Sequence, residues 1–157
     1  MTVRAWRIVK ARHARRAFTG EGAREYGGRW TGKGVATVYT SATQSLALLE
    51  VLVHLGSAAP LAAYTTIPVD FDEALVWRPR ARALPEGWRA TPAPAAVRTF
   101  GDAWVQSRRS AVLAVPSAVV PAETNYVLSP THARFAEIRI GKAEPFDVDA
   151  RLKLGRR

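Results

Sequence analysis

Short apolar stretches, separated by glycine- and proline-rich connections, run along most of the chain. The first, residues 3–9, alternates between two faces and predicts a half-exposed strand. Neither a repeat of about 20–50 residues nor a regular alternation of strands and helices is present. The pattern therefore predicts an α+β fold in one domain that takes in residues 1–157. Further short strands are expected at residues 35–40, 62–69, 111–115, 118–120, 135–140 and 146–148.

Two segments have the pattern of helices. Ser41-Ala-Thr-Gln has the spacing of a capping box, so we expect a helix that begins at Ser41 and runs to Leu55, where Gly56 ends it. Residues 99–107 place apolar side chains three and four positions apart, which predicts a second helix.

Three connections have distinctive compositions. Residues 19–34 contain six glycines and are expected to form a loop, and residues 78–94 contain four prolines and are expected to be exposed. Near residue 117, Pro116 and Pro121 limit the pairing of strands, so we expect an edge or bulged strand that exposes Ser117. This serine is not flanked by the glycines that mark the nucleophile of an α/β-hydrolase. By itself, it is typical of an ordinary turn residue.

The composition excludes several classes of protein. The chain is 48% hydrophobic, which is enough for a folded core and unlike a disordered chain. It contains no cysteine, so disulfide scaffolds, zinc–cysteine sites and thiol nucleophiles are excluded. No apolar run approaches the roughly 18 residues that cross a bilayer, and the basic start lacks the apolar stretch of a secretory signal. We therefore expect a soluble cytoplasmic protein without a metal.

The chain is strongly basic, with a formal net charge of +10. Residues 1–33 carry +7 and residues 78–109 carry +5, whereas residues 34–77 carry −4. Such charge attracts polyanions, so nucleic acid is one candidate partner. An arginine-rich surface that serves solubility, an acidic protein and a phosphate-bearing small molecule fit the charge equally well. No zinc finger or RNA-recognition signature accompanies it.

A single acid interrupts the first predicted helix. Glu50 and His54 are the only polar residues of the segment 46–55, and they lie one turn apart on one face. Burial of an isolated carboxylate is costly unless the group is paired or hydrogen-bonded. Glu50 therefore either forms a structural ion pair or points into a cleft where its charge is used. The residues alone leave both interpretations open.

Two glycines precede an arginine in Gly27-Gly28-Arg29-Trp30. Glycines let a backbone approach a ligand closely, and a guanidinium can bind phosphate oxygens through two parallel hydrogen bonds. A plain surface turn with one solvated arginine is the alternative. The glycine patterns of the Walker A motif and of dinucleotide-binding folds are absent.

Taken together, these motifs resemble the RES domain family, which is named for an arginine, a glutamate and a serine. Arg29 in Gly-Gly-Arg-Trp, Glu50 in Ala-Leu-Leu-Glu-Val-Leu-Val-His and Ser117 in Val-Pro-Ser match these three residues. Thr31 and Ser129 depart from the family, which usually has asparagine at both positions. Other matching segments, in the family's order, are Val38-Tyr39-Thr-Ser41, the stretch from Pro121 to His132, and Phe146-Asp-Val-Asp-Ala-Arg151.

The resemblance implies an ADP-ribosyltransferase-like mixed β core with a few helices. It also implies a toxin that degrades NAD+ by hydrolysis or phosphorolysis, with NAD+ as substrate, inorganic phosphate as the co-substrate of phosphorolysis, and no cofactor. Glu50 would be the catalytic carboxylate that stabilises the ribose cation. Arg29 would hold the pyrophosphate or place the nicotinamide ribose. Ser117 would hydrogen-bond the dinucleotide or position the acceptor, without acting as a covalent nucleophile.

Four further residues are candidates for binding NAD+. Tyr39 would offer its ring to nicotinamide and its hydroxyl to ribose. Trp30 would stack on the ligand or anchor the core, two roles that fit it equally well. Asn125 and His132 would line the wall of the pocket, although His132 by itself reads as a turn residue.

The resemblance also implies a partner, an Xre-type antitoxin that forms a hetero-oligomer with this chain and blocks the NAD+ cleft. Nucleic acid would be contacted only through that antitoxin. Two other functions stay open: an ADP-ribosyltransferase that modifies a macromolecular target, and a basic nucleic-acid-binding module without enzymatic activity. Release of nicotinamide without labelling of macromolecules separates degradation of NAD+ from both.

Overall fold

Strands and helices in the computed structural model, which describes residues 1–55 and 63–152, form an eight-stranded mixed sheet with three α-helices. This arrangement confirms the predicted α+β class. The strands are β1 Thr2–Lys10, β2 Val38–Ser41, β3 Tyr64–Asp72, β4 Val76–Trp77, β5 Val112–Pro116, β6 Thr124–Leu128, β7 Arg139–Ile140 and β8 Glu144–Phe146. The helices are α1 Glu21–Tyr26, α2 Gln44–His54 and α3 Ala95–Ser107. Short 3-10 helices lie at Ala11–Arg16, Glu73–Leu75, Ala81–Ala83, Phe135–Glu137 and Ala150–Leu152.

The strand order of the sheet is β4-β5-β6-β2-β1-β3-β7, and β8 also pairs with β3. Only β4 and β5 are parallel among the described pairs. β1 and β3 pair along their whole length, from Thr2 opposite Asp72 to Lys10 opposite Tyr64. In contrast, β1 and β2 share a single residue pair, in which Trp6 lies opposite Ser41. On the side of β2 that faces β1, most backbone N–H and C=O groups therefore need hydrogen-bond partners outside β1 strand pairing.

Both faces of the sheet are covered by apolar side chains. Along β5, Val112 belongs to one core cluster and its neighbour Leu113 to the other, because successive side chains point to opposite faces. Helix α3 packs on the second cluster, together with Tyr39 of β2. Ser41 points the same way as Tyr39 and lies opposite Trp6, which packs with α2. Helices α2 and α3 therefore share one face of the sheet.

Helix α2 matches its prediction except at the start. Thr43 rather than Ser41 is the N-cap, and its hydroxyl accepts a hydrogen bond from Leu46 N at 3.1 Å. Ser41 is instead the last residue of β2. The last helical residue is His54, and the predicted stop at Gly56 lies outside the described residues.

Helix α3 begins earlier than predicted, at Ala95 directly after Pro94. Its Gly101 is required by packing, because a Cβ at this position would lie 1.6 Å from the Trp30 carbonyl oxygen. A residue without a side chain thus lets the helix press against the segment that carries Trp30. The exposed connection predicted before it, residues 78–94, contains one short 3-10 helix and no strand.

Several predicted strands are displaced. Residues 118–120 form bends, and the strand next in sequence is β6, which the polar residues at its start concealed. Residues 135–140 divide into a 3-10 helix and the two-residue β7. The strand predicted at 146–148 ends at Phe146.

At the other end of the chain, the glycine-rich segment 19–34 contains α1, a short helix rather than loop alone. The strand after it begins at Val38 rather than at residue 35. The strand expected at 62–69 runs over Tyr64–Asp72, and Ala62 lies outside the described residues. None of the described helices is long and apolar enough to cross a membrane.

Candidate functional site

Glu50 lies half-buried on α2, and its carboxylate is held from one side only. The Ser117 hydroxyl and the Asn125 side-chain amide both donate to Oε1, each at 2.7 Å. Within residues 1–55 and 63–152, Oε2 accepts no hydrogen bond and no basic side chain lies within ion-pair distance of Glu50. The interpretation of Glu50 as a structural ion pair therefore finds no support. One carboxylate oxygen is fixed, and the other has no hydrogen-bond partner among the described residues.

Ser117 is fully buried directly after β5, which corrects the expectation of an exposed serine on an edge strand. The reason is that β5 lies inside the sheet, between β4 and β6. The Ser117 hydroxyl accepts hydrogen bonds from the backbone N–H groups of Val119 and Val120, at 3.0 and 3.1 Å. Its proton is directed at Glu50, so its geometry is that of a group that positions the carboxylate.

Asn125 connects the carboxylate to the sheet. It lies on β6 opposite Ser41 of β2, and its Oδ1 accepts a hydrogen bond from the Ser41 hydroxyl at 2.8 Å. Its Nδ2 donates to Glu50 at 2.7 Å. Ser41, Asn125 and Glu50 thus form one chain of hydrogen bonds, in which both ends of the amide are used.

Tyr39 is held by the glycine-rich segment. Its hydroxyl accepts a hydrogen bond from Trp30 N at 3.2 Å and lies 3.0 Å from Thr31 Oγ1. Burial raises the pKa of this hydroxyl above its ordinary value. The ring lies directly against Gly28, where a Cβ would meet the tyrosine oxygen at 2.5 Å. Tyr39 therefore orders the segment Gly27–Thr31, and the hydroxyl is already engaged by protein groups.

Arg29 is likewise engaged by protein groups. Its guanidinium donates to the carbonyl oxygens of Trp88 and Ala90, at 3.0 and 2.7 Å, and to Thr91 Oγ1 at 3.1 Å. No hydrogen bond joins it to the Glu50 cluster among the described residues. The arginine therefore ties the glycine-rich segment to the connection before α3.

Trp30 is a core residue, with 2% of its surface exposed. Its ring stacks on Trp88 at 6.1 Å and meets the edge of Phe100 at 6.0 Å. Of the two roles expected for it, the core anchor is the correct one, because a buried indole has no open face for a ligand.

His132 lies away from the Glu50 cluster. It follows the end of β6, whereas Asn125 lies at the start of that strand. Its Nε2 is 3.0 Å from the Arg108 carbonyl oxygen, and its Nδ1 accepts from Arg134 N. This placement corrects the expectation that His132 lines the same pocket wall and leaves it as the turn residue that its sequence context suggests.

The two departures from the family pattern have defined surroundings. Thr31 is fully buried, and its hydroxyl lies 2.9 Å from that of Thr37 as well as beside Tyr39. Ser129 is buried, and its backbone N–H donates to Ala111 O at 2.9 Å. The Thr31 hydroxyl therefore has hydrogen-bond partners, as a buried polar group requires. Ser129 is held through its backbone.

Two residues of this region were not identified from the sequence. The capping-box spacing predicts Ser41 as a helix cap, whereas its place on β2, two residues after Tyr39, directs its hydroxyl to Asn125. The alternation of residues 3–9 places Arg7 on the same face of the predicted strand as Val3, Ala5 and Val9 and gives it no separate role. Arg7 is half-buried with its Nε atom enclosed, and its guanidinium donates to the Tyr39 carbonyl oxygen at 2.8 Å, at the point where β1 and β2 share few ladder bonds. An arginine inside an alternating apolar strand is the signal that could have identified it.

Arg7 has no carboxylate partner in the part of the chain that the structure describes, and its Nε is buried without a hydrogen bond. Burial lowers the pKa of Arg7 to about 10. The group is still charged at neutral pH, so the strand that carries Tyr39 rests on a buried positive charge.

The chemistry available to the Glu50 cluster is narrow. A fixed carboxylate with one free oxygen can stabilise a developing positive charge or accept hydrogen bonds from hydroxyl groups. Neither a second acid nor a histidine takes part in its hydrogen bonds among the described residues. Over the same residues, no group of three His, Asp or Glu side chains is arranged to hold a metal ion.

Comparison with known proteins adds a family and a fold. The family model described as the RES domain matches residues 4–149. The protein named Toxin Res of Yersinia enterocolitica is 37% identical over 150 residues, which cover 94% of this chain and 98% of that protein. The Prs ADP-ribosylating toxin of Sphingobium sp. is 40% identical over 157 residues, which cover 97% of this chain and 98% of that protein.

A solved structure, that of the Mycobacterium tuberculosis MbcT–MbcA toxin–antitoxin complex, contains a chain with the same fold. The superposition has a TM-score of 0.76 and covers 93% of this chain and 85% of that one. The two sequences are 17% identical, so this likeness supports the fold class alone.

Proposed function

This chain belongs to the RES domain family, and from that membership and the geometry of Glu50 we propose that it is a toxin that cleaves the bond between nicotinamide and ribose in NAD+. The observation that carries the proposal is the one-sided anchoring of the carboxylate by Ser117 and Asn125. The names of two relatives agree with it, since one is called a toxin and the other an ADP-ribosylating toxin. Cleavage of NAD+ and ADP-ribosylation both begin by breaking this bond.

Glu50 acts on the ribose in this mechanism. As the bond from ribose C1 to the pyridinium nitrogen breaks, its electron pair stays on nitrogen and nicotinamide leaves as a neutral molecule. Positive charge then develops on the ribose ring, and the free Oε2 of Glu50 stabilises it or accepts from the ribose hydroxyls. A neutral leaving group needs no strong general acid, which agrees with the single acid of the cluster.

Water or phosphate completes the reaction by adding to ribose C1. Water yields ADP-ribose and releases a proton, whereas phosphate yields ADP-ribose 1″-phosphate. Ser117 and Asn125 act as positioning residues, because their hydrogen bonds hold Oε1 and thereby aim Oε2. Arg29 and Tyr39 hold the glycine-rich segment in place, and we assign their effect on NAD+ to the order of that segment.

One incubation tests the proposal. The purified protein is mixed with NAD+ labelled in its adenylate half, with and without inorganic phosphate, and the products are identified by mass. The proposal expects free nicotinamide together with ADP-ribose or its 1″-phosphate. An intact NAD+ pool after prolonged incubation with folded protein would contradict it.

A second reaction, transfer of ADP-ribose to a macromolecule, is favoured by the name of the Sphingobium relative. The same labelled NAD+ in the presence of cell lysate separates the two reactions. Transfer places the label on protein or nucleic acid, whereas degradation leaves it in small molecules. Binding of nucleic acid without catalysis would leave NAD+ untouched and would not depend on Glu50.

We also propose that an antitoxin of the Xre type forms a hetero-oligomer with this chain and covers the NAD+ cleft, so that nucleic acid is contacted only through the antitoxin. The solved structure of the same fold is a toxin–antitoxin complex, which supports a protein partner. A complex that blocks turnover while the cleft beside Glu50 stays open would contradict the placement of the antitoxin.

A further inference from the structure

A surface pocket of about 420 Å³ lies between the glycine-rich segment and α3. Its walls are Tyr26, Gly27, Gly28, Lys33 and Arg98, so it contains two cations, one aromatic ring and no acid. The Glu50 cluster shares none of these residues. The pocket is large enough for a small organic ligand, since such sites span roughly 300–1,000 Å³.

The two cations of this pocket are not neutralised by the described protein. Neither Lys33 nor Arg98 takes part in an ion pair or a side-chain hydrogen bond within the described residues. Asp102, one turn after Arg98 on α3, is turned towards the glycine-rich segment, where it accepts from Gly32 N at 2.9 Å. Two unpaired cations that face one cavity form a binding site for an anion such as phosphate.

Tyr26 makes the pocket more than a phosphate site. It is 75% exposed, an unusual position for a large aromatic side chain, and it lies at the pocket wall. An exposed ring beside two unpaired cations suits a nucleotide, with the base stacked on the ring and the phosphate between the cations.

The backbone of the glycine-rich wall is held by contacts within the protein. Gly28 N donates to Thr31 O at 2.9 Å, Asp102 holds Gly32, and Arg29 ties the same segment to the connection before α3. Because Arg29 is engaged in this way, the cations that the pocket wall offers to a ligand are Lys33 and Arg98. An already ordered backbone reduces the free energy that is lost to ordering when a ligand binds.

We infer that this pocket binds a nucleoside 5′-phosphate, with the phosphate between Lys33 and Arg98 and the base against Tyr26. The nucleoside phosphate that binds is either the AMP half of a dinucleotide or a free nucleotide, since both present the same chemical groups. The inference rests on the residues of the pocket and does not require Glu50 to cleave NAD+.

The test measures binding of AMP and of adenosine by equilibrium dialysis to the wild-type chain and to the K33A/R98A variant. We expect wild type to bind AMP more tightly than adenosine, and the variant to lose about tenfold or more in affinity for AMP while its affinity for adenosine is unchanged. Both side chains lack partners, so circular dichroism and the melting temperature should match wild type. A Y26A variant should weaken both ligands.

The matched control is R139A/K142A, which removes one exposed arginine and one exposed lysine outside the pocket and outside both basic segments. It should bind AMP as wild type does. The inference is overturned if wild type does not bind AMP, if K33A/R98A keeps its affinity, or if the control loses as much. Because dialysis does not need turnover, failure of NAD+ cleavage would leave this result readable.

Inhibition of NAD+ cleavage by AMP distinguishes the two sources of the ligand. AMP that competes with NAD+ in wild type, and no longer does so in K33A/R98A, assigns the pocket to the AMP half of the substrate. AMP that binds without raising the KM for NAD+ assigns it to a free nucleotide. Both results support a nucleotide pocket.

Discussion

At the scale of single residues, the site depends on how Glu50 is held rather than on its presence alone. Two donors meet one oxygen of the carboxylate, and both donors are themselves fixed, Ser117 by two backbone N–H groups and Asn125 by Ser41. A side chain oriented in this way presents its second oxygen in a constant direction. Such preorganisation is what lets a carboxylate stabilise charge at the moment it develops.

Replacement of Ser117 by alanine should lower both stability and turnover. The S117A variant loses a donor to Glu50 and leaves the N–H groups of Val119 and Val120 without their acceptor in a half-buried turn. We expect the free energy of unfolding to fall by about 1–3 kcal/mol and kcat for NAD+ to fall more than KM changes. Urea unfolding and steady-state kinetics measure the two effects. An S45A variant, at an exposed serine of α2, is the control, and equal losses in both variants would contradict the role of Ser117.

Arg7 gives a prediction for alkaline pH. Its folded pKa of about 10 lies below the ordinary value of an arginine. Above about pH 9 the unfolded chain therefore binds more protons than the folded chain, and the stability contributed by this group rises with pH. Compared with the R7M variant, wild type should therefore gain stability from pH 9 to pH 11, by about 1 kcal/mol. Urea unfolding of both proteins at the two pH values measures this difference, in which the titration of other groups cancels. A difference that is constant with pH would show that Arg7 is not buried as a free charge.

At the scale of elements, the glycine-rich segment contacts Tyr39 so closely at Gly28 that a residue with a side chain would not fit there. The G28A variant should lose order around Tyr39, because the added Cβ would meet the tyrosine oxygen at 2.5 Å and displace it from Trp30 N and Thr31. We expect a clear fall in melting temperature and a raised KM for NAD+. The G22A variant is matched to it, since a Cβ there meets nothing within 4 Å on α1. It should be neutral or more stable by up to about 1 kcal/mol, and a G28A variant that behaves like G22A would contradict the contact.

The sequence predicts the helices and strands whose hydrophobic periodicity is strong. It does not predict features that depend on contacts between strands distant in sequence. Helix α2 and strand β1 follow from local periodicity, and Glu50 stands out because it interrupts an apolar helix. The burial of Ser117 could not be predicted, since it depends on β6 pairing with β5 and β6 begins with polar residues. The engagement of Arg29 by Trp88 and Ala90 joins residues about sixty positions apart, for which no local pattern exists.

At the scale of the whole molecule, the positive charge is concentrated in one region rather than distributed evenly over the chain. The two basic segments, residues 1–33 and 78–109, meet where Arg29 reaches the connection before α3 and where Lys33 faces Arg98. Their combined field therefore surrounds the glycine-rich segment. A phosphate-bearing substrate is attracted to that side of the protein.

This arrangement predicts a dependence on ionic strength. Raising the salt from about 0.05 to about 0.5 M should lower kcat/KM for NAD+ several-fold and leave kcat nearly constant, because screening weakens attraction of the pyrophosphate and not the chemical step. Nicotinamide riboside, which has no phosphate, should show no such loss. A kcat/KM for NAD+ that is independent of salt would contradict a role for the charge in binding substrate.

The most direct test of the whole account is nicotinamide release from NAD+ by wild type and by the E50Q variant. The glutamine oxygen can still accept from Ser117 and Asn125, so the variant should keep the wild-type melting temperature while it loses the charge. We expect release to fall by about a thousandfold or more. Release at the wild-type rate by E50Q, or an E50Q protein that does not fold, would contradict the assignment of this carboxylate to catalysis.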